Sequence, residues 1–320
     1  MTPAISVVMV SYNVERFLAQ AIDSVLAERG VDFEILIGDD ESTDGSVALA
    51  ESYARRDPRI RVVPLPHSGR PSVVRNALIP QARGTLVCFL DGDDYFLPGR
   101  LSRIVALHDR LPEVDVSFHE VLRVDEDGRP SDRTFLDELA FREHGEPYLD
   151  RVDGDARIAG PRFFALTYAI GCPFHTSSIT IRRERLLREP RLFPEDLIAG
   201  EDIDLWFRLA ESTVAFVDAP LSAYRTRGSS ITQRDRRLFF AGTIEAQIRH
   251  WPNVQGRLRP DERQAVAQRL SRRWQILGAE QVRLGAPRDA RRSFGESLRW
   301  RPSIRGVLLW GKAALASLRA

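Results

Sequence analysis

The chain has 320 residues, 43% of them hydrophobic, 28% charged and 8% aromatic, a balance that excludes disorder as the default state and allows a domain of roughly 200 to 250 residues with a smaller appendage. Its formal charge of +1 conceals an asymmetry, because residues 233–320 carry 19 basic and 7 acidic side chains against 27 and 38 in residues 1–232. Two cysteines, Cys88 and Cys172, make neither a disulfide framework nor a metal-ligand spacing, so a reducing cytosol is the expected compartment.

Chain order begins with Met1-Thr2-Pro3 and enters a strand at once, without the basic-then-apolar leader of a signal peptide. Ile5 to Val10 is a short apolar run of β-branched character, as expected of a strand covered on both faces. Phe17, Leu18, Ala21, Ile22, Val25 and Leu26 recur at helical spacing, so residues 15–28 read as an amphipathic helix that Gly30 ends. A second strand at Phe33–Ile37, a helix from Gly45, a third strand at Ile60–Val63, a helix over Val73–Ile79 and a fourth strand at Thr85–Leu90 follow. Ninety residues of unbroken alternation predict a parallel sheet with helices on both faces, whose ligands gather at the carboxyl ends of the strands. Asp39-Asp40 and Asp91-Gly92-Asp93-Asp94 both stand there.

Pro98 opens another helix carrying Leu101, Ile104, Val105 and Leu107, and a strand follows near Val114–Val121. Residues 123–160 are polar and irregular and read as a long surface excursion or lid. Order returns at Ser177–Ile181, in a helix over Asp202–Ala210 and in a strand at Val214–Val217. Beyond Ser230 the chain is helical and Arg-rich: Ala279–Leu284 and Asp289–Trp300 form a helix-turn-helix pair that Pro302 stops, and Gly306–Leu318 is amphipathic with Trp310. No run of 18 apolar residues predicts a transmembrane helix. The basic tail points to an anionic neighbour, a phospholipid surface or the acidic body itself; without aromatic-basic interleaving, nucleic acid is not an expected partner.

An acidic pair on a strand-to-loop turn is the natural place for a hard divalent cation, which binds through one or two carboxylates and the phosphates of a substrate. Taken alone, Asp91-Gly92-Asp93 is equally consistent with a solvated turn. The surrounding order decides: Val8-Met9-Val10-Ser11-Tyr12-Asn13-Val14-Glu15, Ile37-Gly38-Asp39-Asp40, Gly69, Arg75-Asn76-Ala77, Phe89-Leu90-Asp91-Gly92-Asp93-Asp94 and Gly200-Glu201-Asp202-Ile203-Asp204-Leu205-Trp206. Together, over residues 4 to 232, these resemble the family 2 glycosyltransferases of GT-A fold, of the inverting, non-processive bacterial type.

That resemblance implies a GT-A-type doubly wound mixed sheet over residues 1–232 and an all-helical extension over 233–320. It implies a nucleotide-diphospho-sugar donor, UDP-linked in preference, with Ser11, Tyr12, Asp39 and Asp40 at the nucleobase and Arg75, Asp91, Arg225 and Arg227 toward the ribose and diphosphate. Asp93 with Asp91 would hold Mn²⁺ or Mg²⁺. Asp202 would take the acceptor's proton, with Glu201 beside it as orienter or alternative base, and His175 and Trp206 would line the acceptor. The acceptor itself would be a glycan or lipid-linked hydroxyl of cell-envelope polysaccharide synthesis. Many relatives place histidine where Arg227 stands, so a histidine metal ligand is not expected here, and a bidentate phosphate clamp by Arg225 or Arg227 is. A cytoplasmic protein in peripheral contact with the inner face of the membrane is the matching location.

Two other classes are weighed. A sugar-phosphate nucleotidyltransferase ordinarily shows a glycine-rich phosphate loop with a nearby lysine after its first strand, and Tyr12-Asn13-Val14-Glu15 stands there instead. A non-catalytic binding module would not need the full set of acids.

Overall fold

The structure, a computed structural model, describes residues 2–228 and 235–318. Strands β1 (Ile5–Ser11) and β2 (Phe33–Asp39) alternate with helices α1 (Glu15–Leu26) and α2 (Ser46–Arg56), followed by β3 (Ile60–Pro64), α3 (Pro71–Leu78) and β4 (Leu86–Asp91). These four strands are parallel, in the order β3-β2-β1-β4. Period-two alternation explains how one apolar run serves two faces: Ile5, Val7 and Met9 pack with Leu18 and Ile22 of α1, while Val8 packs with Val74 and Leu78 of α3.

After the short β5 (Tyr95–Phe96) come α4 (Arg100–Arg110) and β6 (Val116–Val124). Residues 123–160 are not a loose excursion. They hold two short helices, α5 (Phe135–Glu138) and α6 (Phe141–Gly145), and a hairpin of β7 (Leu149–Asp153) and β8 (Ala156–Ala159) that extends the sheet edge. The sequence hides this because β7 is exposed along most of its length and the anchors Leu136, Phe141, Ala156 and Ile158 are few and unevenly spaced.

Helix α7 (Phe163–Ala169), β9 (Thr180–Arg182), α8 (Arg183–Leu187), α9 (Glu201–Leu209) and β10 (Val214–Arg225) complete this part. Antiparallel β9 is inserted between β4 and β6, making the sheet mixed, with ten strands among the described residues. Strand β10 runs on from the expected Val217 to Arg225 through register shifts at Pro220, which redirect its end toward the site.

The boundary expected at residue 232 lies outside the described residues, as do Ser229 and Ser230. From there α10 (Arg236–Val254), α11 (Pro260–Arg283), α12 (Pro287–Trp300) and α13 (Ile304–Ser317) follow. Helix α11 begins some twenty residues before the expected Ala279, because its Arg-rich early turns carry little apolar signal. Ile244, Val254, Val266, Leu270 and Leu277 share one buried cluster with Phe89, Phe118 and Trp206, so the first two of these helices complete the main core.

Candidate active site

Register aligns the chemistry. Ser11 stands opposite Asp39, and Val10 opposite Asp91, so the ends of β1, β2 and β4 meet at one edge. The Gly92 N–H donates to the Val10 carbonyl at 2.8 Å. A Cβ on Gly92 would lie 2.9 Å from that oxygen and 3.0 Å from Val14 Cγ2, so only glycine permits this approach between the two acids.

On the nucleobase side the structure redistributes the expected roles. Ser11 Oγ donates to Asp39 Oδ2 at 2.8 Å, and the Ser42 N–H and hydroxyl donate to the same carboxylate at 2.7 and 2.8 Å. Both residues are fully buried. Their side chains lock two strand ends to a turn and do not line a ligand surface, which corrects the expectation for Ser11 and Asp39. Asp40 is equally occupied: Ser68 donates from its N–H and hydroxyl at 2.8 Å, Gly69 from its N–H at 2.8 Å, and His67 Nδ1 lies 3.1 Å away. In this conformation Asp40 holds the loop at 67–69 and offers no vacant edge to a base. Tyr12 does remain open, 41% exposed, with its ring stacked on His67 at 4.7 Å and 25°. Asn13 and Glu41, flanking this platform, adopt left-handed φ of 49° and 61°, a strained backbone for residues with a Cβ.

Toward the diphosphate, buried Arg75 donates from Nη2 to Asp91 Oδ1 at 2.8 Å and from Nη1 to Glu201 Oε1 at 3.0 Å. One guanidinium thus joins the turn after β4 to the start of α9, residues 110 apart in sequence. Asp93 Oδ2 accepts from Arg227 Nε at 2.6 Å. Burial pushes the Asp93 carboxyl up; Arg227 opposes this and the Asp91 charge reinforces it. Asp94 is raised further, by burial and then by the charges of Asp93 and Asp91, although Ser177 Oγ (2.5 Å) and the Arg225 N–H (2.9 Å) donate to it.

Arg225 is not a phosphate clamp. It is buried and donates to the backbone carbonyls of Asp93 (3.0 Å), Asp125 (3.2 Å) and Glu126 (2.8 Å) and to Gln20 Oε1 (2.7 Å). It ties the acidic turn to the loop at 125–126, leaving Arg227 as the arginine at the carboxylates.

Among the described residues no three His, Cys, Asp or Glu side chains converge as a metal cage. Mg²⁺ and Mn²⁺ do not require one, since substrate phosphates and water complete their shells. Asp91 and Asp93 each have one oxygen held by an arginine, which leaves the other for a cation, and Asp93, raised chiefly by burial, also feels the Asp91 charge. The residues present fit such an ion.

At the head of α9, burial and then the Asp202 charge push Glu201 up to about 7, against the pull of Arg75. Asp202 is also raised by burial, with Arg75 opposing. Glu201 is pinned by Arg75, whereas Asp202 is more open, its Oδ1 accepting the Ile203 N–H at 2.8 Å and its Oδ2 lying 3.5 Å from Thr176 Oγ1. Asp204, fully buried, serves Arg191, Arg208 and His250. His175 packs between the rings of Tyr224 (4.7 Å) and Phe135 (5.1 Å), and burial lowers its pKa to about 4, so it is neutral at pH 7. Trp206 is completely buried against Phe89 and Phe193 and cannot line an acceptor site; its place in a motif reflects core packing.

The sequence model of Glycosyl transferase family 2 matches residues 6–166. The chain belongs to glycosyltransferase family 2. Among its relatives, EpsJ of Bacillus subtilis, named as an uncharacterized glycosyltransferase, is 33% identical over 241 residues, 73% of this chain. That match spans 64% of EpsJ. The fold is similar to that of S. aureus TarS 1–349 crystallised with UDP-GlcNAc, with a TM-score of 0.58 at 20% identity over 92% of this chain and 89% of that one. The mannosyltransferase PcManGT of Pyrobaculum calidifontis, in complex with GDP-Man and Mn²⁺, gives 0.53 at 14% identity over 99% and 81%.

Four residues around the candidate site are not expected from the sequence. Asp94 stands inside the quoted acidic run, but nothing in its spacing separates a buried strut from a ligand. His67 and Ser68 become visible only through their contacts with Asp40, 27 and 28 positions away, and Tyr224 through its packing on His175.

Proposed function

We propose that this family 2 chain transfers a sugar from a nucleotide-diphospho-sugar, UDP-linked in preference, to a hydroxyl of a glycan or lipid-linked acceptor, by single displacement with inversion. The observation that carries this reading is the Arg75 bridge, because one guanidinium holds both Asp91 and Glu201 and lies close enough to Asp202 to feel its charge. Tyr12, with His67 beneath it, offers a ring face to a nucleobase. Asp91 and Asp93 would hold Mg²⁺ or Mn²⁺, whose contribution there is neutralisation of the leaving diphosphate. Asp202 receives the proton of the attacking hydroxyl. Burial raises its affinity for protons, as suits a general base, and Glu201, held beside it by Arg75, orients the acceptor.

Transfer or hydrolysis across a panel of UDP-, GDP- and dTDP-sugars with Mn²⁺ tests the proposal. Asp202→Asn is expected to lower kcat by about 10² to 10⁴ while donor binding persists. Release of pyrophosphate from a nucleoside triphosphate and a sugar phosphate, with no donor consumed, would instead make this a nucleotidyltransferase. Wild-type rates in Asp202→Asn would remove the base from Asp202.

The location proposed is the inner face of the cell membrane, with α13 as the contact. No described helix is long and apolar enough to cross a membrane. On α13, however, Ile304, Val307, Leu308 and Leu315 are exposed, beside a groove of about 540 Å³ lined by Arg288, Arg291, Arg292 and Arg299. An apolar stripe bordered by cations matches an anionic lipid surface. Cosedimentation with phosphatidylglycerol vesicles should fall on deleting residues 304–320; equal recovery in the supernatant with and without that segment rejects the contact.

A further inference from the structure

Two arginines stand at the end of β10, and they are spent in different ways. Arg225, its last residue, gives its guanidinium to backbone carbonyls and to Gln20, partners for which no ligand competes. Arg227 follows two positions on. Among the described residues its side chain makes one hydrogen bond, from Nε to Asp93 Oδ2 at 2.6 Å, and both side chains of this pair are 15% exposed. Its guanidinium carbon lies 5.5 Å from the centre of the Phe17 ring. The backbone on either side is anchored, because the Thr226 N–H donates to the Val124 carbonyl at 2.9 Å and the Gly228 N–H to Glu126 Oε1 at 3.2 Å. Arg227 can therefore leave Asp93 by rotating its side chain, with no movement of the strand end.

Each carboxylate of the acidic turn has its own counter-group. Asp91 has Arg75, which is buried and tied to Glu201 as well; Asp94 has the Ser177 hydroxyl and the Arg225 N–H; Asp93 has Arg227. Of these contacts the last is the one built to open, since it joins single atoms of two partly exposed side chains, whereas the other two are buried. The oxygen left open on Asp93 belongs to a carboxylate whose charge Arg227 already offsets. A divalent cation arriving there meets a neutralised group and a like charge beside it.

We propose that Arg227 withholds Asp93 from a divalent cation until a nucleoside diphosphate arrives, and then turns from the carboxylate to the diphosphate, so that cation and donor load as a pair. This rests on the glycosyl-transfer reading for the word donor, but the competition between Arg227 and a cation for Asp93 stands on its own contact. A diphosphate offers the guanidinium a bidentate partner in place of a single carboxylate oxygen. It also brings the phosphate oxygens that complete the shell of Mg²⁺ or Mn²⁺. Each ligand gains from the one ion pair that the other opens, and such coupling is reciprocal.

The test uses the full chain and two titrations, neither of which needs turnover. Mn²⁺ binding without nucleotide is read from the loss of the free-ion paramagnetic resonance signal, and binding of UDP and GDP in chelator is read by calorimetry. Arg227→Met and Arg227→Gln, two neutral replacements, should bind Mn²⁺ about tenfold or more tighter than wild type, and the better nucleotide about tenfold weaker. Damage to the fold weakens both ligands, so opposite shifts from one substitution mark the exchange itself. Arg227→Lys keeps the charge and should hold Mn²⁺ affinity near wild type. In an Asp93→Asn background the gain in Mn²⁺ affinity should vanish, because there is no carboxylate left to release. Unchanged or lowered Mn²⁺ affinity in the neutral variants, or a gain that survives Asp93→Asn, overturns the proposal. Equal nucleotide affinity in wild type and variants, or a wild type that binds a nucleotide with Mn²⁺ but neither one in chelator, overturns the turn of Arg227 toward the diphosphate. A wild type that binds neither nucleotide even with Mn²⁺ sinks the glycosyl-transfer reading, and the Mn²⁺ titrations still decide the competition for Asp93.

Discussion

The donor edge and the α11 flank of the cleft handle charge in opposite ways. At the ends of β1, β2 and β4 nearly every polar side chain is already satisfied: Ser11 by Asp39, Asp40 by the loop at 67–69, Arg225 by three carbonyls. On α11, Arg269 and Arg273 form no ion pair among the described residues, and Arg273 has a long contact, 3.4 Å, to the Thr243 carbonyl. A pre-organised edge holds its shape before any ligand arrives, and little of it is left to titrate or move. Motif residues are therefore of two kinds, those whose polar atoms are already taken up by neighbours and those that keep one free.

That division can be broken experimentally. Asp93→Asn removes a group that the division assigns to the ligand side, and should lower the Mn²⁺-dependent rate by about 10² to 10³ with an unchanged far-UV spectrum; steady-state rates across a Mn²⁺ series are the check. Trp206→Ala should act on the fold instead, destabilising by about 3 to 5 kcal/mol in urea melts while leaving the acceptor KM of the surviving folded enzyme near wild type. A raised acceptor KM without loss of stability would return Trp206 to the site. Tyr12→Ala should raise the donor KM about tenfold with little change in kcat, through the lost ring face; donor titration by fluorescence decides it.

The smallest effect is a pH slope. Glu201 folds with its pKa raised from 4.5 to about 7, so the protonated form is favoured in the native state. Its stabilising contribution is full below about pH 4.5 and is lost as pH rises through 7. Melting curves from pH 5 to 8 should show a downward component in Tm of a few degrees that Glu201→Gln removes. An equal slope in wild type and variant would show that Glu201 is not the group held protonated.

Much of the fold was legible from residue order. The alternating runs from Ile5 to Leu90 give the parallel half of the sheet, because period-two and period-3.6 patterns over short segments are local properties. The edge hairpin at 149–159 was not legible, since an exposed strand shows no apolar face, and neither was the start of α11 among its arginines. In the candidate site, Asp91, Asp93, Glu201 and Asp202 were singled out by sequence, and the Arg75 bridge draws Asp91 and Glu201 together. The roles of Ser11, Asp39, Arg225 and Trp206 were misread for one reason: a motif records that a residue type is required, and a packing requirement leaves the same mark as a binding one.

By itself, then, the sequence determined the alternating strands and helices from Ile5 to Leu90, the acidic runs at the strand ends and, through the order of its short motifs, the family. Only the tertiary structure decided which polar groups are already taken up by neighbours, because a carboxylate or guanidinium is free or spent according to partners that lie 28 to 132 residues away. Hydrogen-bond saturation and burial are properties of the folded neighbourhood, and no local pattern encodes them.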